Sequence, residues 1–300
     1  MIKSRKEFDG KWDFMIKIKN KHLTAHISKF GAEIKSLTID GEEILWQGNE
    51  KTWARTAPTL FPFTGKFKDG FYIYGDEKYE CPSHGFARNT EFTVEEKNKN
   101  SVTMLLTSSE ETKAVFPFDF EFRVKFTLFQ KSLIVEYYVS NTGDRPMYFS
   151  LGSHESYALE NRVEDYDIIF NKKENLDNLI VGEGGLLTGE KQPVLRYSRI
   201  LPLHDKQFDY DSLVFKNIAS KSLILRNRTN GKRIKVEYPN SPNLVIWKMV
   251  GENYVCIEPW AGLPDFADCD QQLEHKDSII KLKKNKIYKK VHKITILPKL

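Results

Sequence analysis

The sequence predicts an all-β protein, and three observations carry that reading. Short segments of alternating or continuous apolar residues recur along the chain, helical periodicity is nearly absent, and turn residues separate the segments at sandwich or barrel spacing. Phe14–Lys19, His22–Ser28 and Ala32–Ile39 open the series. Phe71–Tyr74 and Lys78–Cys81 flank Gly75-Asp76-Glu77 as a hairpin. Phe92–Glu96 with Val102–Thr107 makes a second hairpin, and Phe120–Phe129 with Leu133–Val139 a third. Between Leu223–Arg226 and Arg233–Tyr238 lies Asn230-Gly231, the strongest short hairpin signal present. Leu244–Met249, Tyr254–Glu258, Ile279–Leu282, Ile287-Tyr288 and Ile294–Leu297 complete the strands. Ser109–Val115 and Gln271–His275 have room for a helical turn or two. Asn171–Pro202, with Gly182, Gly184, Gly185 and Gly189, reads as long loops. No Pro/Gly-rich linker and no repeat of fixed period divides the chain, so one antiparallel domain spanning residues 1–300 is expected.

Bulk properties narrow the class. Hydrophobic residues are 40% and charged residues 29% of 300, which excludes a disordered chain. A chain this long buries roughly three quarters of its unfolded surface, so it needs no disulfide or metal staple. No apolar run approaches the roughly 20 residues of a membrane helix, and the first residues lack the apolar stretch of a secretory signal. Cys81, Cys256 and Cys269 are odd in number and lack metal-ligand spacing, which fits a reducing cytoplasm. The net charge of +5 invites a nucleic-acid reading. Its distribution answers that. From Lys276 to Leu300 nine lysines against Asp277 give +8, leaving −3 for the other 275 residues. The lysines of Ile280-Lys281-Leu282-Lys283 and Lys293-Ile294-Thr295-Ile296 alternate at strand period and are expected to face outward, where they discourage edge pairing. Aromatic residues hardly interleave them, so no nucleic-acid partner is expected.

Phosphate-loop, dinucleotide, zinc-protease, CxxC and nucleophile-elbow patterns are all absent. Four segments instead set polar groups among bulky apolar neighbours. In Pro82-Ser83-His84-Gly85-Phe86-Ala87-Arg88 a histidine follows a strand and Gly85 admits close backbone approach. In Phe149-Ser150-Leu151-Gly152-Ser153-His154-Glu155-Ser156-Tyr157 a second histidine ends an apolar stretch, with Glu155 as an orienting partner or a solvated residue. Either histidine alone is more often structural than functional. In Cys256-Ile257-Glu258-Pro259-Trp260-Ala261-Gly262 a carboxylate closes an apolar strand, where burial demands a partner or a polar pocket. Trp260 serves either as core or as a flat face for a sugar ring. Arg55 and Lys66 bracket an apolar stretch, as solvent anchors or as cations reaching one cleft. Two histidines, a carboxylate and cations, with no metal set, form a kit for acid–base chemistry on a neutral polar substrate.

These segments resemble the aldose 1-epimerase (galactose mutarotase) family, nearest its LacX-like branch and more distantly the hexose-6-phosphate mutarotases. Leu60-Phe61-Pro62-Phe63-Thr64-Gly65-Lys66, the run from Tyr74 to Arg88, Leu151-Gly152-Ser153-His154-Glu155-Ser156-Tyr157 and the run from Cys256 to Asp265 carry the match, which extends from about Leu23 to Leu297. The resemblance implies a large antiparallel β-supersandwich and interconversion of α- and β-anomers of a sugar or sugar phosphate without a cofactor. It implies Glu258 as general base, His154 as general acid, and His84 holding the sugar and assisting at the ring oxygen. Lys66 stands where the family usually has arginine, which keeps the charge but loses the planar two-pronged grip. Asp211, in preference to Asp209, matches a hydroxyl-binding aspartate. Arg55 and Arg88 resemble positions where the sugar-phosphate branch places cations. A non-catalytic sugar-binding protein on the same fold is the alternative from another class.

Overall fold

The computed structural model describes residues 15–299. A nine-stranded antiparallel sheet runs in the order Leu187–Pro202, Tyr166–Val181, Ser222–Asn227, Arg233–Glu237, Ile287–Leu297, Ser132–Asn141, Phe120–Phe129, Ser101–Thr107, Thr93–Lys97. A five-stranded sheet is built around Tyr254–Ala261, which pairs with Asn243–Trp247 on one side and with Leu151–Gly152 and Glu155–Ala158 on the other. Leu213–Phe215 closes it beyond Asn243–Trp247. Ile16–Lys19, Leu23–Ile27, Ile34–Ile39 and Glu42–Glu43 make a four-stranded sheet, and Phe71–Tyr74 pairs with Glu77–Glu80. This is the expected all-β, antiparallel architecture. Phe14, placed in the first predicted strand, lies outside the described residues.

The strands form where side chains alternate at period two. Phe120–Phe129 buries every second residue from Phe120 to Leu128. It pairs with Ser132–Asn141 without a register break. In the Phe71–Tyr74 hairpin only Gly75 and Asp76 form the loop, and Gly75 takes φ 63°, a value side chains resist. Aromatic residues fill the interior. Phe61 stacks on Phe122 with ring centroids 4.3 Å apart and meets Phe86, Phe116, Phe120 and Phe149 at tilted or edge-on angles. The helical expectations reduce to one turn at Glu110–Lys113, capped by Ser109 and Thr112, and a 3₁₀ turn at Leu273–His275.

Two expectations are corrected. Asn171–Pro202 is not a set of loops; it lies in a long hairpin of two sixteen-residue strands, Tyr166–Val181 and Leu187–Pro202. Register shifts after Ile169, Glu174, Leu176 and Leu179 break the alternation by which a strand is recognised. Ile287-Tyr288 and Ile294–Leu297 belong to a single strand, Ile287–Leu297. The lysines expected to face outward do so: Lys281 and Lys283 are exposed, and Lys293 lies on the outer face of its strand. Lys290 and His292 share the inward face with Ile294 and Ile296, and Lys276 is buried against Asp265.

Candidate active site

Antiparallel register assembles the site. Glu155 pairs with Ile257 and Ser156 with Cys256, so continuing the pairing by one residue sets His154 opposite Glu258. Glu258 pairs on its other side with Val245, and Val245 with Val214. One row therefore crosses the sheet as His154, Glu258, Val245, Val214, and all four line the same cavity of about 590 Å³. Trp247 comes from the next row, opposite Cys256, and Trp260 from the row on the other side, opposite Asn243. Alternation sends Ile257 and Glu155 to the opposite face, into the core.

Backbone contacts bring the other segments to this row. Leu60 and Gly152 exchange hydrogen bonds of 3.2 and 3.1 Å, and the Thr64 N–H donates to Ser150 Oγ at 2.8 Å. Gly65 and His84 lock together: the His84 N–H donates to the Gly65 carbonyl at 2.8 Å, and the Gly65 N–H donates to His84 Nδ1 at 3.1 Å. Nδ1 is thus an acceptor, and the neutral ring carries its proton on Nε2. Gly152 is needed for close approach, since a Cβ there would sit 2.6 Å from Trp260 Cδ1.

His154 Nε2 lies 3.5 Å from Glu258 Oε2, with both side chains buried. The His154 ring stacks on Trp53 with centroids 5.2 Å apart, and His84 stands edge-on to His154 at 5.8 Å and to Trp260 at 5.6 Å. Burial pushes the Glu258 carboxyl well above the ordinary carboxylate range, and the charges of Glu155 and Asp211 add to the rise. Burial lowers His154 to about 3. It also drives His84 well below the ordinary histidine value, helped by the charges of His154, Arg88, Lys66 and Arg55. The pair holds one mobile proton between a carboxyl that resists losing it and an imidazole that resists gaining it.

Of the residues singled out from sequence, Glu258, His154, His84, Lys66, Arg88, Asp211 and Trp260 all line the cavity. Asp209 is not on its wall, nor is Arg55. The Arg55 guanidinium is turned onto the Arg88 carbonyl at 3.2 Å and Asn89 Oδ1 at 2.6 Å, so of the two bracketing cations only Lys66 stands on the cavity wall. Glu155 is neither solvated nor set beside His154. It faces away from the cavity, 2.9 Å from His292 Nε2. Sequence reasoning missed Trp53, Trp247 and the hairpin tip at Gly182, Gly184 and Gly185, all on the wall. It also missed a convergence: ligand atoms of His154, Cys256 and Glu258 lie within 4.8 Å of one another, although their spacing matches no metal motif.

A family model described as aldose 1-epimerase matches residues 15–295. The chain belongs to the aldose 1-epimerase family. Protein LacX of Lactococcus lactis subsp. lactis, in its plasmid form, is a member-like relative, 31% identical over 296 residues that cover 94% of this chain and 99% of LacX. Among solved structures, a galactose mutarotase related enzyme from Lactobacillus acidophilus superposes with a TM-score of 0.90 at 33% identity, covering 95% of this chain and 98% of its own. A galactose mutarotase-like protein from Lactobacillus casei ATCC 334 gives 0.90 at 28% identity, covering 94% and 100%. The fold is that of the galactose mutarotase-like aldose epimerases. Among the described residues no helix is long and apolar enough to cross a membrane.

Proposed function

We propose that the protein is an aldose 1-epimerase that interconverts the α- and β-anomers of a hexose or related aldose. The observation that carries this reading is the cross-strand row: a buried carboxyl and a buried imidazole 3.5 Å apart at the wall of a sugar-sized cavity. Anomer exchange needs the anomeric hydroxyl proton removed and the ring oxygen protonated. The C1–O5 bond breaks, the C1–C2 bond rotates, and the carbonyl is attacked from its other face. The pair's single proton passes from Glu258 to His154; Glu258 then takes the hydroxyl proton while His154 supplies one to the ring oxygen. On closure the roles reverse, Glu258 giving its proton back to the anomeric oxygen and His154 recovering one from the hydroxyl that closes the ring, so the cycle consumes nothing. His84 presents its Nε2–H to a sugar oxygen, Asp211 accepts from sugar hydroxyls, and Trp260 faces the ring's C–H surface. No step calls for a cofactor.

Saturation-transfer NMR or polarimetry on fresh α-glucose and α-galactose tests the proposal. Anomer exchange well above the buffer rate is expected. Loss of at least about a hundredfold in kcat is expected in Glu258→Gln and in His154→Asn, both folded. Wild-type rates in either variant would remove these assignments. Sugar binding by calorimetry without exchange would favour a pure binding protein, for which an acid–base pair has no use.

Lys66 and Arg88 on the same wall favour a second substrate class, a hexose 6-phosphate. Arg55 contributes there only through its hold on Arg88.

A further inference from the structure

We propose that His154, Cys256 and Glu258 form a site for one borderline or soft divalent cation, of the zinc and cadmium class, and that the cation and the sugar reaction exclude one another. Cys256 and Glu258 are two residues apart on one strand and so share a face. His154 lies directly across from Glu258 and diagonally from Cys256. Their ligand atoms already fall within 4.8 Å of one another, and His154 Nε2 and Glu258 Oε2 within 3.5 Å. Zinc bonds of about 2.0–2.3 Å place tetrahedral ligands roughly 3.3–3.8 Å apart, so closing the set takes side-chain rotation of about an ångström and no backbone movement.

Two further observations point to a ligand here. Glu258 Oε2, aimed at the site, is a buried polar atom without a hydrogen-bond partner, on a side chain at least nine-tenths buried. Such atoms in a native interior call for an explanation, an ion among them. The donor set is also selective: one imidazole, one thiol and one carboxylate suit zinc or cadmium, whereas magnesium and calcium prefer oxygen alone. Three protein ligands leave a fourth position, and His154 and Glu258 line the cavity that gives an ion its way in. Binding releases the thiol proton and the Glu258 carboxyl proton to solvent, and metal–sulfur and metal–oxygen bonds replace S–H and O–H. The ion then occupies the carboxylate oxygen and the imidazole that the proposed proton transfer uses. The inhibitory half of the inference rests on that reaction; the binding half does not.

Cobalt and cadmium titrations followed by thiolate-to-metal charge-transfer absorption test the binding half without any activity. One saturating equivalent is expected, with the band lost in Cys256→Ser and retained in Cys269→Ser. No thiolate band, or a band that survives Cys256→Ser, overturns the site. Should Cys256→Ser not fold, Glu258→Gln and His154→Asn must each weaken cadmium at least about tenfold, since even partners of ligands cost that much. Unchanged affinity in both overturns it. In turnover, cadmium should raise the apparent KM of the wild type and inhibit Cys256→Ser at least about tenfold less, with its uninhibited rate unchanged. Equal inhibition of both places the ion elsewhere. A wild type that shows no anomer exchange refutes the proposed reaction while the absorption titration still decides the site.

Discussion

His84 enters the cavity with its tautomer already chosen. The Gly65 N–H occupies Nδ1, so the proton available to a ligand sits on Nε2. His84→Asn retains an acceptor for Gly65, but its amide N–H stops short of the place that Nε2 occupies. Its melting temperature should stay within a few degrees, and kcat/KM should fall by about ten- to a hundredfold; a collapsed fold would mean the side chain is mainly a brace. The Glu258–His154 pair makes a second statement at this scale. Because burial raises the carboxyl and lowers the imidazole to about 3, the pair keeps its single proton far into acid. The acid limb of kcat/KM for a neutral sugar should therefore lie well below the ordinary histidine value of about 6.5. A limb at about 6.5 would show that neither group is perturbed as its burial requires.

Strands explain both what could be read in advance and what could not. Tyr254 to Glu258 was legible because an apolar run ending in a carboxylate needs a polar destination. Its neighbours across the sheet were not, since pairing partners leave no mark on a single strand. The long hairpin went unread because its bulges destroy alternation, and Trp53 because it lies outside regular structure. Lys290 and His292 drew no notice because a lysine-rich strand looks solvent-facing, yet alternation with Ile294 and Ile296 turns both inward. Lys290 is fully buried, with its ammonium 5.1 Å from the Tyr137 ring centroid. Burial lowers its pKa to about 8, against a partial rise from Glu155. The unfolded chain then binds the extra proton between about pH 8 and the ordinary lysine value near 10.4, so stability from this group rises with pH across that window. Lys290→Met should remove the rise, and urea unfolding of both proteins at several pH values will show it; a constant difference would refute it. Gly152→Ala tests the neighbouring strand pair. Its Cβ would press on Trp260, which should cost about 1–3 kcal/mol and lower kcat/KM together.

Across the whole molecule, charge is separated from chemistry. The cavity's acid–base groups rest uncharged, while Lys66 and Arg88 stand on its wall as cations. A neutral aldose should bind with little dependence on salt. A sugar phosphate that uses these cations should show a KM that rises with ionic strength, and Lys66→Ala should abolish that dependence. Salt-independent KM values for both substrates would remove the cations from recognition. The wall that carries Lys66 is tied to the hairpin tip through backbone: the Asp265 N–H donates to the Lys66 carbonyl and the Leu187 N–H to the Asp265 carbonyl, each at 2.9 Å. Asp265 is itself held by the buried Lys276 and by the Lys68 N–H. Three distant stretches thus share one rim, which is why motif order in the chain was legible and the rim was not.

The row from His154 through Glu258 and Val245 to Val214 makes the chemistry a matter of parity. On the central strand the even positions Glu258 and Trp260 line the cavity, and the odd positions Val255 and Ile257 address the core. Removing one residue within this strand would swap the two sets at a stroke, burying the acid in hydrocarbon and offering isoleucine to the sugar. Changes of length in the connections leave the addresses intact. Connections that do not reach the cavity can therefore change in length, while the central strand tolerates not a single insertion.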